Sequence, residues 1–368
     1  MTIKKKILVC GILPPPNFGH SMIHAILMRS PFEQAFNVIF FNMKFWSYKE
    51  HKRVTFLKIL KMMKYYFQFI WIIISRRPQY VLYGISFDKM PFLKDFLFCM
   101  TARFLGCKVV LHDMGQYAGI LYNAYTKFGK SLMRFFFKNI AASIVLGEHT
   151  KGSYEGLFDR NKVFAVPGAV EDTQNFSMIP QPKDEARVNV LYFSFLSRTK
   201  GVLVALKAAT RVIQTYPNIH FTFVGPIEAG GLEDEINQFI VDHHISDNVH
   251  MFGYEDNDFE RSRYFRFSDI FIFPTLRDVF GLVLLHAMVE AVPVIASREG
   301  TIPEIVEDGK TGFLIDKGDD TKLAQDIIRL ANDKQLRKQM GKAGRTRFLS
   351  FYTPKHFGER MINVFEQI

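Results

Sequence analysis

The chain has 368 residues, which suits two domains of roughly 150–180 residues, each with its own core. Apolar residues make up 48% of the chain and charged residues 23%, a composition that excludes intrinsic disorder. The formal charge of +11 favours contact with polyanions, which include nucleic acid, an anionic membrane face and small phosphorylated molecules.

The cysteines and the apolar runs indicate the cellular compartment of the protein. Cys10, Cys99 and Cys107 lack the spacing of metal ligands, so we expect neither a disulfide framework nor a zinc site. The short apolar run after the first lysines predicts a strand rather than a signal peptide. No run reaches the roughly 20 apolar residues that a membrane-spanning helix needs. We therefore expect a cytoplasmic protein.

Strand-like runs alternate with helix-length segments along the chain, which predicts parallel α/β domains. The predicted strands of the first half are Lys6–Leu13, Asn37–Phe41, Tyr80–Tyr83, Lys108–His112, Ala142–Leu146 and Lys162–Val166. Those of the second half are Val188–Phe193, His220–Val224, Val249–Phe252, Asp269–Phe273 and Val292–Ala296. This pattern predicts two doubly wound, Rossmann-like domains that face a central cleft.

A polar stretch with Pro180 and Pro182 separates the two patterns and predicts a linker. We place the first domain at residues 1–175, the linker at 176–187 and the second domain at 188–352. Residues 353–368 are predicted to form a helix that packs back toward the first domain. Because open parallel sheets bind ligands at the carboxyl ends of their strands, functional residues are expected in the loops that follow strands.

The strongest signal is the segment 268–313, SDIFIFPTLRDVFGLVLLHAMVEAVPVIASREGTIPEIVEDGKTGF. A predicted strand ends at Phe273, and a short loop then turns at Gly281 into a helix. The first N–H groups of such a helix, at Leu282 and Val283, are available to phosphate oxygens, and the helix dipole favours negative charge there. The pattern predicts a diphosphate site. A glycine-initiated core helix is the structural alternative.

The order of motifs in this segment resembles the retaining glycosyltransferases of GT-B fold known as glycosyltransferase family 4. These enzymes carry an acidic residue, then Phe-Gly, a helix, Pro-Val-Ile-Ala and Pro-Glu-Ile-Val. Two glutamates eight positions apart hold the donor in that family, the first at the sugar and the second at the ribose. Asp278 and His286 occupy these two places here. The structural alternatives are a helix cap for Asp278 and a core histidine for His286.

The resemblance extends to the loop after the first strand of the second half, LYFSFLSRTKG at 191–201. Ser194 and Phe195 stand where the family has Gly-Arg, and Arg198 is a candidate replacement for that guanidinium. Lys200 keeps the place of the lysine that stabilises the departing diphosphate, although a solvated lysine is the structural alternative. In REGTIPE, at 298–304, Gly300 alone remains of the family's glycine pair. The resemblance adds further donor-binding residues: Gly19, Gly225, Pro226, Tyr254, Phe280, Gly281, Leu282 and Val283.

Two candidates lie in the first half, which the resemblance makes the acceptor-binding domain. Gly19 ends a proline-rich loop that is similar to a family loop with two glycines, the second of which is His20 here. His112 ends the fourth predicted strand, where the family places a histidine close to the donor sugar; simple packing of a lone histidine is the alternative. We predict Lys200, Asp278 and His112 as catalytic residues.

The segment 54–75 predicts an amphipathic helix in which Lys58, Lys61 and Lys64 share one side and most of the remaining surface is apolar. Lys49, Lys52 and Arg53 precede it. Residues 49–75 therefore predict peripheral contact with an anionic membrane, at its inner face. Burial of the helix between neighbours in the first domain is the alternative.

These observations favour a retaining hexosyltransferase that moves a sugar from a nucleotide-diphosphate sugar to a lipid-linked or polysaccharide acceptor in cell-envelope glycan synthesis. We expect no metal ion or other cofactor, because His243 and His244 are adjacent rather than four residues apart and the resemblance implies metal independence. One alternative is a non-catalytic GT-B subunit that partners an active glycosyltransferase, and another is a sugar-nucleotide epimerase. No module for binding nucleic acid is present.

Overall fold

The computed structural model describes residues 4–15, 17, 19–44, 56–87, 89–115, 117–175, 187–253 and 257–368. The chain divides into two units, residues 1–168 with 354–368 (unit 1) and residues 169–353 (unit 2). Each unit contains a six-stranded sheet in which neighbouring strands are parallel. The predicted pair of doubly wound α/β domains is therefore confirmed.

Unit 1 begins with alternating strands and helices in an open sheet. Its elements are β1 (Lys6–Gly11), α1 (Gly19–Leu27), α2 (Pro31–Ala35), β2 (Asn37–Asn42), α3 (Phe56–Arg76), β3 (Tyr80–Ile85), α4 (Lys89–Phe104), β4 (Lys108–Asp113), α5 (Ala118–Ala124), α6 (Lys127–Lys138), β5 (Ala142–Val145) and β6 (Val163–Ala165). The strand order β2-β1-β3-β4-β5-β6 places the point where the winding reverses between β1 and β3.

Unit 2 repeats this plan with one reversal of its own. Its elements are β7 (Val188–Phe193), α7 (Val202–Ile213), β8 (Ile219–Val224), α8 (Leu232–Asp242), β9 (Val249–Phe252), α9 (Asp258–Arg266), β10 (Ile270–Phe273), α10 (Leu282–Val289), β11 (Val294–Ser297), α11 (Ile302–Ile305), β12 (Gly312–Ile315), α12 (Asp320–Asn332) and α13 (Lys334–Phe351). The strand order β12-β11-β10-β7-β8-β9 places the reversal between β7 and β10.

Strands match the sequence analysis closely, with one omission. Each of the eleven predicted strands is present, with ends that shift by at most two residues. The strand β12 was not predicted. It has four residues and starts at a glycine, so it lacks the run of branched apolar residues that marked the other strands.

The domain boundary differs from the predicted one, because residues 169–175 belong to unit 2 rather than to the first domain. Arg345 of α13 donates two hydrogen bonds to the carboxylate of Asp172, at 2.9 and 2.6 Å. Thr173 donates to the buried carboxylate of Glu290 at 2.8 Å, and Arg266 donates to the Thr173 carbonyl at 3.1 Å. These bonds hold the segment on unit 2. The predicted linker lies outside the described residues except at its last residue.

The last helix, α14 (Pro354–Gln367), belongs to unit 1. The ring of Phe365 packs against Phe32 and Tyr80, with ring centroids 5.5 and 5.4 Å apart. Lys5 donates from Nζ to the Phe365 carbonyl at 2.9 Å. In the described part of the chain, no helix has both the length and the apolar character to cross a membrane.

Helix α13 packs closely on the end of α10, and a glycine makes this possible. A Cβ on Gly341 would lie 1.9 Å from the carbonyl oxygen of Ala291. Backbone atoms cannot yield as a flexible side chain does. We therefore predict that Gly341→Ala lowers the free energy of unfolding by roughly 1–3 kcal/mol, as overpacking does. The control is Gly152→Ala, where the added Cβ meets open space. Equal stability of the two variants in urea denaturation would contradict this packing.

Candidate functional site

Two loops of unit 2 meet at one carbonyl group. β7 and β10 are neighbours, so the loops after them leave the sheet side by side, at the point where the winding reverses. The Thr199 carbonyl accepts hydrogen bonds from the N–H groups of Leu276 and Arg277, at 2.9 and 3.0 Å. The Thr275 hydroxyl donates to the same oxygen at 3.3 Å. The loop that carries Lys200 is thereby fastened to the loop that leads to Asp278.

Gly201 allows this close approach. Its φ of 77° lies in the left-handed region, and a Cβ at this position would fall 1.9 Å from the Pro274 carbonyl oxygen. Any other residue would force the loops apart, because the neighbouring atom belongs to the backbone. Gly201 also precedes the first residue of α7, so it sets where that helix begins.

The two loops bring Lys200 and Asp278 into an ion pair. Lys200 Nζ lies 2.5 Å from Asp278 Oδ2, and the side chains are 26% and 14% exposed. The other carboxylate oxygen of Asp278 accepts from the N–H groups of Val279 and Phe280, at 2.7 and 3.2 Å. The buried Tyr192 hydroxyl donates to the Lys200 carbonyl at 2.8 Å. Two of the three predicted catalytic residues therefore meet in unit 2.

A third loop fixes the peptide that follows Asp278. The Val279 carbonyl accepts from the N–H and the hydroxyl of Thr301, at 2.9 and 2.8 Å. Gly300 has a φ of 52°, and a Cβ there would lie 2.5 Å from the Asp278 carbonyl oxygen. Gly300 is therefore the position where a glycine is needed. Thr301, where the family resemblance would put a second glycine, is fully buried and holds the loop with its hydroxyl.

Helix α10 begins beside the ion pair, directly after Gly281. The ring of Phe273 lies near both features: Lys200 Nζ is 5.8 Å from its centroid, and a Cβ added at Gly281 would lie 3.2 Å from its edge. Leu282 and Val283 are partly exposed in the first turn, where N–H groups have no acceptor within the helix. An ammonium group and a helix N-terminus thus stand close together, an arrangement that can bind an anion.

His286 lies further along α10, partly buried, with its ring 5.9 Å from that of Phe265. Burial and, to a smaller extent, the charge of Arg261 lower the pKa of His286 well below its usual value. The ring is therefore neutral near pH 7 and keeps one donor and one acceptor nitrogen. Both are chemically suited to a hydroxyl group.

Arg198 is not part of the ion pair. Its guanidinium donates to the carboxylate of Glu235 on α8, with Nη1 at 3.0 Å from Oε1, and its N–H donates to Glu228 at 3.1 Å. The Gly225–Pro226 turn pairs with the loop after β7, since the Pro226 carbonyl accepts from Leu196 N–H at 2.8 Å. Tyr254 lies outside the described residues. The donor-binding roles of these residues stay predictions.

In unit 1, His112 at the end of β4 contacts another buried histidine. The rings of His112 and His24 meet edge to face, 5.7 Å apart. His24 fits there because Gly11 has no side chain, and a Cβ at Gly11 would lie 2.4 Å from the imidazole. The ring nitrogens of His112 have no hydrogen-bond partner among the described residues. Gly19 is the first residue of α1, which carries His24. The predicted role of His112 at a donor sugar stays a prediction.

Burial sets the protonation of this histidine pair. Burial, followed by the neighbouring His20, lowers the pKa of His24 to about 4, while the carbonyls of Ile12 and His20 act in the opposite direction. Burial and the other two histidines lower the pKa of His112 well below its usual value. The adjacent Asp113 differs: burial raises its pKa to about 7, against hydrogen bonds from Tyr154 and Gly115. Both imidazoles are neutral near pH 7.

Several contributors to the site were not predicted. Thr199 acts through its carbonyl and Gly201 through its lack of a side chain, and Thr301 acts through its hydroxyl. Nothing in the local sequence around Tyr192 indicates that its hydroxyl donates to the Lys200 carbonyl. His24 follows His20 by four residues, a spacing that the sequence analysis could have used. Within the described ranges, no group of three or more His, Cys, Asp or Glu side chains is placed to hold a metal ion.

The sequence of the chain matches known proteins. Residues 174–347 match the family described as glycosyl transferases group 1. N-acetyl-alpha-D-glucosaminyl L-malate synthase of Bacillus anthracis is 39% identical over 110 residues, 30% of this chain and 28% of the relative. The amylovoran biosynthesis glycosyltransferase AmsK of Erwinia amylovora is 27% identical over 246 residues, 58% and 59% of the two chains. The chain thus spans about a quarter to three fifths of these curated relatives.

Solved structures match over the whole chain. Sucrose-phosphate synthase from Thermosynechococcus elongatus gives a TM-score of 0.77 at 17% identity, covering 99% of both chains. HepE from Anabaena in complex with UDP gives 0.72 at 14% identity, covering 99% of this chain and 100% of HepE. At these identities the likeness shows the fold, which is that of the GT-B glycosyltransferases.

We predict that Gly201→Ala separates the loops and lowers the stability of unit 2. Gly231→Ala is a matched control, because Gly231 also precedes a helix with a φ of 87° but faces open space. The control should lose roughly 1–2 kcal/mol from backbone strain alone. Gly201→Ala should lose this amount and several kcal/mol more, from the clash with Pro274. Similar losses for both variants in urea denaturation would mean that the loops do not depend on this approach.

The histidine pair predicts a pH dependence of stability. Between pH 6.5 and about 4 the unfolded chain protonates His24 while the folded chain does not, so stability falls as the pH falls. His24 contributes roughly 3 kcal/mol to this loss. Asp113 contributes with the opposite sign, so the test compares variants. His24→Asn should flatten the curve of unfolding free energy against pH, whereas His244→Asn at an exposed site should not. Parallel curves for wild type and His24→Asn would exclude a buried neutral His24.

Proposed function

We propose that this chain is a retaining glycosyltransferase of group 1 and of the family 4 type. It would transfer a hexose from a nucleotide-diphosphate sugar to an acceptor in cell-envelope glycan synthesis. The match of residues 174–347 supports the enzyme class, and the name of AmsK supports a role in polysaccharide synthesis. The UDP bound to HepE supports a nucleotide-diphosphate donor. The observation that carries the proposal is the Lys200–Asp278 pair beside the start of α10.

The pair and the helix supply what the departure of a nucleotide diphosphate needs. When the bond between the anomeric carbon and the phosphate oxygen breaks, negative charge develops on that oxygen. Lys200 Nζ would meet this charge together with the N–H groups of Leu282 and Val283. In this proposal the protein's own cation and helix dipole carry the task, and no metal ion is required. The acceptor hydroxyl attacks from the face that the diphosphate leaves, which retains the configuration.

Asp278 and His286 would orient the donor. One oxygen of Asp278 holds the loop N–H groups, and the other faces Lys200. A carboxylate has about four lone-pair sites, so it can accept a sugar hydroxyl in addition. His286, kept neutral by burial, offers a ring nitrogen to the ribose. Asp278 would thus have two roles: it holds the loop N–H groups and it binds the sugar.

The acceptor would be a lipid-linked or glycan hydroxyl bound by unit 1. A lipid-linked acceptor is reached at a bilayer surface, so we place the activity at the inner face of the cell membrane. The predicted contact at residues 49–75 falls partly on α3. Residues 49–55, with Lys49, Lys52 and Arg53, lie outside the described residues.

Lys200→Ala removes the proposed cation and should lower kcat by roughly 100-fold or more. Lys200→Arg keeps a charge and should retain more activity than Lys200→Ala. The control is Lys207→Ala, at an exposed position of α7, which should keep wild-type rates. Sugar transfer is measured by the release of the nucleotide, and circular dichroism checks that each variant keeps its fold. Unchanged kcat in Lys200→Ala would place leaving-group stabilisation elsewhere.

A donor panel separates the proposed enzyme from its alternatives. The cognate nucleotide sugar at 100 times its Kd should stabilise the chain by about 2.7 kcal/mol in thermal unfolding. Stabilisation without release of nucleotide, in the presence of acceptors, would indicate a non-catalytic subunit that binds donor. Conversion of the donor without any acceptor would indicate an epimerase. No stabilisation by any nucleotide sugar would overturn the proposed donor site.

A further inference from the structure

The outward side of α3 is apolar along its whole length. Core contacts come from Phe69 and Ile73, which are buried. The opposite side carries large exposed residues at steps of three or four positions: Phe56, Leu60, Met63, Phe67, Trp71 and Ile74. Phe67 is 60% exposed and Trp71 is 65% exposed. A soluble surface rarely presents a continuous stripe of this kind unless something covers it.

Two neighbouring helices extend this surface. Tyr66 of α3 packs on Phe98 of α4 at 5.2 Å, and Phe96 of α4 packs on Phe136 of α6 at 5.8 Å. These contacts order the three helices side by side on one face of the sheet of unit 1. Their outer sides add further exposed apolar residues: Leu93, Leu97 and Phe104 on α4, and Phe128 and Phe135 on α6. We call the outer sides of α3, α4 and α6 the apolar face.

The charges of these helices have one sign. α3 and α6 contain no acidic residue. The one acidic residue of α4, Asp95, is buried and accepts from Tyr83 at 2.8 Å and from Ser86 N–H at 3.0 Å, so it does not reach the surface. Lys94 pairs with Asp95 at 2.9 Å. The further basic residues with described side chains are Lys58, Lys61, Lys64 and Arg76 on α3, Arg103 on α4, and Lys127, Lys130, Arg134 and Lys138 on α6. The surface therefore complements a negatively charged partner.

The positive charges of these helices distinguish between two possible partners of the apolar face, a second copy of the chain and a membrane. In a symmetric dimer the same patch meets itself, so lysines of α3 would face lysines of the second copy without an acidic partner on these helices. At a bilayer, the apolar stripe enters the acyl boundary while lysines extend to anionic headgroups and Trp71 lies at the interface. Attraction to anionic lipid supports the apolar contact. A bilayer with anionic headgroups fits both features at once.

We propose that unit 1 docks on an anionic membrane through the apolar face, with α3 parallel to the bilayer surface. The inference rests on the proposed function for its purpose, since a lipid-linked acceptor is met at such a surface. Docking itself needs neither donor nor acceptor. It also extends the contact beyond α3, because the exposed phenylalanines of α4 and α6 belong to the same face.

Trp71 provides a direct test. The chain has two tryptophans, so Trp46→Phe leaves Trp71 as the remaining fluorophore. Its emission should shift to shorter wavelength and lose acrylamide quenching on addition of vesicles of phosphatidylcholine with phosphatidylglycerol. Vesicles of phosphatidylcholine alone should bind much less. Unchanged Trp71 emission with both kinds of vesicle would contradict insertion of α3.

Variants then identify the surface in vesicle co-sedimentation. Leu60→Gln, Phe67→Gln and Ile74→Gln combined should weaken binding at least tenfold, because three apolar side chains that enter the bilayer are lost. Lys61→Glu with Lys64→Glu should weaken it at least about fivefold per removed lysine on anionic vesicles. The matched control combines Val241→Gln, Leu349→Gln and Phe351→Gln, which are exposed apolar positions of unit 2. Wild-type binding by the α3 variants, or an equal loss in the control, would overturn the proposal.

Two further readouts separate the outcomes. If light scattering shows a wild-type dimer that the triple α3 variant turns into a monomer, and vesicles do not bind, the apolar face is an interface between copies and the membrane proposal fails. Stabilisation by the cognate nucleotide sugar should be the same in wild type and the triple variant. Absence of vesicle binding with normal donor stabilisation would defeat this inference alone. Vesicle binding without any donor stabilisation would defeat the proposed function alone.

Discussion

The site depends on how closely two backbone loops approach each other at the winding reversal of unit 2. Gly201 lies against the Pro274 carbonyl, and the Thr199 carbonyl accepts three hydrogen bonds from the loop after β10. Parallel strands alone would place these loops near each other. The missing Cβ and the shared carbonyl bring them close enough for the ammonium of Lys200 to pair with Asp278. Without this contact the two side chains would be ordinary surface charges.

Residues other than Lys200 and His286 hold much of the surrounding frame. Thr301 and Gly300 fix the peptide after Asp278, and Glu290 with its partners fastens the segment entering unit 2. A frame of this kind accepts different side chains at its recognition positions. This explains how Asp278 and His286 can stand where the resembling family has glutamates, with the fold unchanged. In the proposed function, these side chains determine which sugar is bound.

Much of the architecture was predictable because it has a local cause. Alternating apolar runs mark strands, and a glycine after a strand marks the start of α10. Lys200 and Asp278 were predicted as site residues through the resemblance of their surrounding motifs to a known family, and the structure pairs the two side chains. By contrast, the engagement of Arg198 with Glu235, the contact of His24 with His112 and the place of residues 169–175 depend on partners distant in sequence. No local period records such pairings, so the sequence analysis could not supply them.

The central claim concerns unit 2, where Lys200 and the start of α10 form a site for an anion. The most direct measurement is a crystal structure of the chain with UDP. We predict that the diphosphate lies within hydrogen-bond distance of Lys200 Nζ and of the N–H groups of Leu282 and Val283. A diphosphate bound away from the start of α10, with the Lys200–Asp278 pair untouched, would contradict it.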